Sequence, residues 1–180
     1  MRNKVTAGQL HEFMRALGQA ATKPARIFLV GGATAVLCGW RESTIDIDLK
    51  IQGGSEDVLK GISELKERLQ INVELASPDD FIPPLPSWED RSRFIRQEGK
   101  LTFLHYDFYA QALAKIERGH RMDLLDIQAM IDQKLIDVKR LLEFFAAIEP
   151  EIYKYPAIDS AQFRASIERV VHAQASNDQD

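Results

Sequence analysis

The chain has 180 residues, 45% hydrophobic and 28% charged, which is the composition of a globular protein with one substantial core. No apolar run approaches the roughly 18 residues of a membrane-spanning helix, and the first 20 residues are too polar for a signal peptide. We therefore expect a cytoplasmic protein without a membrane partner. The net charge of −4 excludes a global basic field for nucleic acid. The single cysteine, Cys38, excludes an internal disulfide and a thiolate zinc site.

Helices and strands alternate in the first part of the chain. Hydrophobic spacing predicts a helix over residues 7–20, and the apolar run RIFLV predicts a strand over 26–30. The glycine pair Gly31-Gly32 then marks a turn, and a short helix is expected over 33–39. The sequence therefore predicts a strand, a glycine turn and a helix in direct succession.

An acidic strand follows this unit. Residues 44–51 (TIDIDLKI) alternate between apolar and polar side chains, which is the period of a strand with one apolar face. Asp46 and Asp48 therefore project from the same face of that strand. A helix with Ser55 as its N-cap is expected next, ending near Gln70.

The rest of the chain changes from mixed to helical structure. Strands are predicted over 71–76 (INVELA) and 100–107 (KLTFLHYD), separated by a loop that contains the four prolines of SPDDFIPPLPSW. Helices are then expected near 108–118, 122–132, 134–147 and 159–173, before a polar, frayed tail over 175–180. The predicted fold class is α/β (α+β), with a small mixed sheet flanked by helices over 1–107 and a helical region over 108–180 packed on that core.

The glycine turn and the acid pair are predicted to form one site. Gly31-Gly32 precedes a helix, where backbone N–H groups and the helix dipole bind phosphate and where a side chain would obstruct its approach. Asp46 and Asp48 carry like charges close together, and a cation between such groups offsets their repulsion. Oxygen ligands suit Mg²⁺, or Mn²⁺ in its place, with water and phosphate oxygens completing the coordination.

A third carboxylate is predicted on the following strand. Glu74 lies within VEL, where it would complete a set with Asp46 and Asp48. Three acids allow two ions, one for the attacking hydroxyl and one for the leaving pyrophosphate. Asp107, at the end of the strand KLTFLHYD, is the alternative third acid.

These residues resemble a known signature. The stretch FLVGGATAVLCGWRESTIDIDLKI resembles the DNA polymerase beta-like nucleotidyltransferase superfamily, in which a glycine pair or Gly-Ser, a short helix and Asp-x-Asp follow one another. The superfamily order favours Glu74 over Asp107 as the third acid. Arg41 and Thr44, just before the acids, and the later stretch ALAKIERGHRMDLLDIQAM are similar to small bacterial nucleotidyltransferase-like proteins related to abortive-infection toxins.

The resemblance implies an enzyme that moves a nucleotidyl group from a nucleoside triphosphate to a hydroxyl on tRNA or other RNA, on a protein or on a small molecule. It implies catalytic and metal-binding roles for Asp46, Asp48 and Glu74. Nucleotide contacts are implied for Gly31, Gly32, Thr34, Arg41, Thr44, Lys115 and Asp123, with Arg118 or Arg121 as auxiliary phosphate contacts.

Two other functions compete with this one. The superfamily more often has serine where this chain has Gly32, with Thr34 as a substitute hydroxyl, and this departure motivates a catalytically weak or inactive member. Such a protein would act with a partner protein, as a toxin-antitoxin component or an interaction module. A hydrolase or phosphotransferase that uses the same acid pair is the third class.

Overall fold

The computed structural model describes residues 3–177 of the chain. Within them the helices are α1 Ala7–Ala20, α2 Gly31–Leu37, α3 Ser55–Leu69, α4 Trp88–Arg91, α5 Phe108–Arg118, α6 Arg121–Asp132, α7 Lys139–Ile148 and α8 Ser160–Asn177. The strands are β1 Val5–Thr6, β2 Ala25–Val30, β3 Ser43–Thr44, β4 Asp46–Gln52, β5 Asn72–Leu75, β6 Arg93–Glu98 and β7 Leu101–His105. Short 3₁₀ helices cover Pro78–Asp80 and Glu149–Lys154. This mixed architecture confirms the predicted fold class.

The described residues divide into two compact units. The first contains residues 3–77 and 92–106, and the second contains 78–91 and 107–177. Every strand belongs to the first unit, as far as residues 3–177 are concerned. None of the described helices is long and apolar enough to cross a membrane.

The first unit is built on a mixed five-stranded sheet with the order β5-β4-β2-β7-β6. Strand β4 is antiparallel to β2 and parallel to β5, while β7 is parallel to β2 and antiparallel to β6. One sheet face carries the apolar positions of these strands, and α1 and α3 pack over it. The opposite face keeps the polar positions of β4, since side chains alternate along a strand.

Helix α1 shows how local sequence fixes this core. The side chain of Thr6 accepts a hydrogen bond from the backbone N–H of Gln9, and the Gln9 side chain accepts one from the N–H of Thr6, which is a capping box. The apolar residues that follow at helical spacing, Leu10, Phe13, Met14 and Leu17, are all fully buried. Removing these side chains from water is the main stabilisation of the unit.

The second unit is helical and has an aromatic core. Phe145 stacks on Phe163 with ring centroids 5.0 Å apart, which ties α7 to α8. Tyr109 of α5 packs on Phe144 at 4.8 Å, and the guanidinium of Arg91 lies 4.4 Å from the centre of the Phe144 ring. These contacts join α4, α5, α7 and α8 around one interior.

Several boundaries differ from the predicted ones. Helix α2 begins at Gly31, two residues before the predicted start, so the glycine pair is part of the helix. Helix α3 has Gly54 rather than Ser55 at its N-cap. The prediction of a helix from residue 134 was wrong because Lys134 has a left-handed backbone (φ 56°), and α7 begins only at Lys139.

Other differences concern segments with weak patterns. The proline-rich loop contains a 3₁₀ turn at Pro78–Asp80 and the short α4, and β6 had no predicted counterpart. Charged residues occupy half of β6 (RFIRQE) and its two apolar residues are adjacent, so it lacks the apolar alternation of a predictable strand. The predicted frayed tail was wrong up to Asn177, where α8 ends, and residues 178–180 lie outside the described part.

Candidate active site

Strand β4 presents the two aspartates on the polar face of the sheet. Ile47 and Leu49 are fully buried on the other face, while Asp46 and Asp48 are half-buried. The alternation that was visible in the sequence therefore places both carboxylates on one side of one strand, as predicted. The hydrogen-bonded register of the sheet fixes the positions of Asp46 and Asp48 relative to each other.

Glu74 lies beside this pair on the neighbouring strand. In the parallel pairing of β4 and β5, Asp48 is opposite Glu74 and Asp46 is opposite Asn72. The amide nitrogen of Asn72 donates hydrogen bonds to Asp46 Oδ1 at 2.6 Å and to Glu74 Oε1 at 2.8 Å. Glu74 itself is exposed. The three predicted acids thus share one face at one edge of the sheet.

The glycine turn brings α2 to the same corner. Gly31 has a left-handed backbone (φ +59°), which glycine adopts without strain. A Cβ atom at this position would lie 3.5 Å from Asp48 Oδ2. The carboxylate of Asp48 therefore lies directly beside the first residue of α2, where the helix dipole is positive.

Gly32 has a different and stricter reason to be glycine. A Cβ atom there would lie 2.0 Å from Thr44 Oγ1 and 3.6 Å from Arg41 Nη1. Strand β3 pairs with β1, with Thr44 opposite Val5, and the Thr44 hydroxyl donates to the Asp46 carbonyl at 3.1 Å. Thr44 is thus fixed in the space that a side chain at position 32 would need. The Thr44 hydroxyl and the Arg41 guanidinium therefore both lie close to the glycine turn, as the sequence suggested.

Thr34 points into the protein interior. Its side chain is 0% exposed, and its hydroxyl donates to the Leu29 carbonyl at 3.1 Å. Having used its proton there, the hydroxyl accepts from His105 Nδ1 at 3.0 Å, and His105 Nε2 faces the Cys38 sulfur at 3.7 Å. Burial raises the pKa of the Cys38 thiol to about 11, so the thiol keeps its proton and donates it to Nε2. This chain of hydrogen bonds anchors α2 to β2 and β7.

The partly buried His105 makes the stability of the protein depend on pH. Burial, assisted by the charge of Arg93, lowers the pKa of His105 to about 4 from its ordinary 6.5. Below pH 6.5 the unfolded chain therefore binds a proton that the folded chain does not, so stability falls as the pH falls towards 4. Between pH 7 and pH 5 we expect a loss of about 2 kcal/mol in the free energy of unfolding from this group.

Urea denaturation at the two pH values measures this loss. His105→Gln should remove most of the dependence, whereas the matched change His172→Gln, at an exposed position of α8, should leave it intact. Equal pH dependence in the wild type and in His105→Gln would show that His105 titrates normally.

Lys115 and Asp123 belong to the second unit, where they are bound to each other. The Lys115 ammonium donates to Asp123 at 3.2 Å and to Asp126 at 2.7 Å, and all three residues are buried. Arg118 adds two hydrogen bonds to Asp123, at 2.8 Å and 2.6 Å. Burial raises the pKa of Asp123, but the bonds from Arg118 and the charge of Lys115 outweigh it and keep the pKa below its ordinary value. The network is balanced, with two cations and two anions.

Asp107, the alternative third acid, has a structural environment in the second unit. Its side chain accepts from the backbone N–H of Tyr109 at 3.1 Å, which caps the N-terminus of α5. Arg91 binds the other carboxylate oxygen through Nη2 at 2.7 Å and Nε at 3.1 Å. With 1% of its surface exposed, Asp107 has both oxygens engaged in holding α4 and α5.

The carboxylates of the first unit fit a hard divalent cation only in part. Asp46 and Asp48 are oxygen donors on one face, next to a turn suited to phosphate, and this donor set suits Mg²⁺ or Mn²⁺. Among residues 3–177, however, no three His, Cys, Asp or Glu side chains converge on one point that could hold a metal ion. Asp46 and Asp48 are therefore the two oxygen donors that could hold such an ion, with water and phosphate as its other ligands.

Asn72 is the residue of this site that the sequence interpretation missed. It stands between apolar neighbours at the start of a strand, where an asparagine usually marks a turn. The available signal was its spacing of two from Glu74, which puts both side chains on the same face of β5.

Comparison with known proteins identifies the family of this chain. A family model described as a nucleotidyltransferase of unknown function (DUF6036) matches residues 8–172, which include both the glycine turn and the acid pair. Neither the curated proteins nor the solved structures gave a significant match. Because the matched range covers far more than half of the sequence, the chain belongs to the DUF6036 family of nucleotidyltransferases of unknown function.

Proposed function

We propose that this protein transfers a nucleotidyl group from a nucleoside triphosphate to a hydroxyl acceptor, with a magnesium or manganese ion held by Asp46 and Asp48. The observation that carries the proposal is the contact between the acid pair and the glycine turn, with Asp48 Oδ2 3.5 Å from where a Cβ of Gly31 would lie. A cation site directly beside a phosphate cradle is what binding of a metal–triphosphate complex requires.

The reaction assigned to this site is a displacement at the α-phosphorus. The acceptor oxygen forms a bond to that phosphorus while the bond to the pyrophosphate oxygen breaks, and pyrophosphate leaves with the electron pair. The proton of the acceptor hydroxyl passes to Glu74, an exposed carboxylate on the same sheet face. A bound Mg²⁺ would supply neutralisation of the charge that develops on the phosphate oxygens.

The glycine turn and its neighbours bind the triphosphate in this proposal. At the start of α2, the guanidinium of Arg41 lies 3.6 Å from where a Cβ of Gly32 would be and would donate to the phosphates. The Thr44 hydroxyl, which donates to the Asp46 carbonyl, would contribute by holding β3 against the turn. Thr34, which is fully buried, would contribute by anchoring α2 to β2 and β7. The roles of Lys115 and Asp123 in nucleotide binding stay predictions from the family resemblance.

The wider assignments belong to the same proposal. The relationship to the DNA polymerase beta-like superfamily rests on the order of the glycine pair, the short helix and Asp46-x-Asp48. The relationship to abortive-infection toxins rests on Arg41, Thr44 and the later stretch ALAKIERGHRMDLLDIQAM. The acceptor stays open between RNA such as tRNA, a protein and a small molecule. Action together with a partner protein is part of this proposal and is supported by the resemblance alone.

The inactive alternative loses its original support. Gly32 suggested a degenerate phosphate site, but a serine at this position would collide with Thr44, whose hydroxyl already lies at the turn. Glycine at position 32 therefore follows from the packing of β3 against α2. Gly32 is therefore not an argument for a non-catalytic interaction module.

Transfer of radioactive label tests the proposal. The purified chain is incubated with each nucleoside triphosphate labelled at the α-phosphate, with Mg²⁺, and with total RNA or a protein mixture as acceptor. We expect label in one acceptor class with the wild type and a loss of at least about 100-fold with Asp46→Asn. Asp159→Asn, an exposed acid in the second unit, is the matched control. Equal labelling by the wild type and by Asp46→Asn would refute the proposed site.

A further inference from the structure

A side-chain amide lies between two of the site's carboxylates. The nitrogen of Asn72 is 2.6 Å from Asp46 Oδ1 and 2.8 Å from Glu74 Oε1. Backbone pairing sets this arrangement, because Asn72 is opposite Asp46 across the parallel strands and two residues before Glu74 on its own strand. All three side chains therefore lie on the polar face of the sheet by register alone.

The Asn72 amide lies where a cation between the carboxylates of Asp46 and Glu74 would lie. Two carboxylates that approach each other repel, and either a cation or hydrogen-bond donors can offset the repulsion. An asparagine side chain has two N–H donors on one nitrogen, and here one is directed at each carboxylate. An ion that bridged Asp46 and Glu74 would need the same oxygen lone pairs and the same space as this nitrogen.

We propose that Asn72 is a positioning residue that restricts the site to one divalent ion. The inference rests on the proposed function, since the ion is the one assigned to Asp46 and Asp48. The amide of Asn72 holds Glu74 beside that ion's ligands but outside its coordination, so that Glu74 can accept the proton of the acceptor. This differs from the two-ion site that three carboxylates suggested in the sequence.

Titration with Mn²⁺ alone tests the number of ions. The paramagnetic resonance signal of free Mn²⁺ is followed as it is added to the full chain, for the wild type, Asp46→Asn, Asn72→Ala and Asn72→Asp. We expect no more than one Asp46-dependent ion in the wild type. Asn72→Ala removes the amide and should admit a second ion. Asn72→Asp should also admit it and bind about tenfold more tightly, because affinity rises with the number of charged ligands.

Gln97→Glu is the matched control for the charge change. It is also an amide-to-acid replacement on an exposed strand position, but it lies on β6 at the other edge of the sheet. It should bind Mn²⁺ like the wild type. Melting temperatures identify which Asn72 variants fold, and only folded variants are compared with the wild type.

The outcomes separate this inference from the proposed function. Two Asp46-dependent ions in the wild type, or a folded Asn72 variant that still binds no more than one, would overturn the role of Asn72 and leave the proposed function intact. Failure of every variant and of the wild type to bind Mn²⁺ through Asp46 would refute the proposed function and the inference together.

Discussion

Replacing Lys115 by methionine is expected to lower the free energy of unfolding by about 3 kcal/mol, because it breaks a buried ion-pair network. The ammonium lies 2.7 Å from Asp126 and 3.2 Å from Asp123, and each aspartate has 1% of its surface exposed. Methionine fills a similar volume but carries no charge, so the network keeps two anions against one cation. Chemical denaturation at neutral pH measures the change.

Lys139→Met is the control for this replacement. Lys139 begins α7 at an exposed position, where such changes usually alter stability by no more than about 0.5 kcal/mol. If the unfolding free energy of Lys115→Met without nucleotide were as close to the wild type as that of the control, the network would not contribute to stability. Its lysine would then be free to act chiefly on phosphate, as the family resemblance implies.

Asp107→Ala is expected to lower the stability of the protein and Glu74→Gln its transfer rate, which distinguishes the two candidate third acids. Asp107→Ala removes a helix cap and a buried partner of Arg91, and we expect a loss of about 3 kcal/mol in the free energy of unfolding. Glu74→Gln changes an exposed side chain, so its stability should stay within about 0.5 kcal/mol of the wild type. Its transfer rate should fall about 100-fold, as for loss of a general base.

Thermal unfolding and the label-transfer assay, applied to both variants, measure the two effects. Glu67→Gln, at an exposed position of α3, controls for loss of a surface charge. A Glu74→Gln enzyme with the activity of the wild type would contradict the assignment of Glu74. An Asp107→Ala protein with wild-type stability would show that the cap and the ion pair with Arg91 contribute little.

The parts of the fold that could be predicted are those with strong local patterns. The alternation of TIDIDLKI specified β4 and the shared face of Asp46 and Asp48, and the apolar stripe of α1 specified its buried side. The glycine pair marked the start of α2, although the structure includes both glycines in the helix. In these segments the local sequence pattern agrees with the observed backbone conformation.

The remaining features depend on contacts between distant segments. The two-residue pairing of β1 with β3 is too short to leave a pattern, yet it fixes Thr44 against Gly32. The chain from Cys38 through His105 to Thr34 joins residues up to 71 positions apart. The spacing of two places Asn72 on the same face as Glu74, but its contact with Asp46 could be assigned only once the parallel register of β4 and β5 was known. Single-sequence patterns do not encode such register.

Isothermal titration of ATP, GTP, CTP and UTP, with and without Mg²⁺, tests most directly whether Asp46 and Asp48 hold an ion against a nucleoside triphosphate. The wild type is compared with the Asp46→Asn/Asp48→Asn double variant, whose melting temperature establishes that it is folded. We predict binding of at least one nucleotide that requires Mg²⁺ and is lost in the double variant. Binding that is unchanged in the double variant, or absent for all four nucleotides with the wild type, would contradict this account.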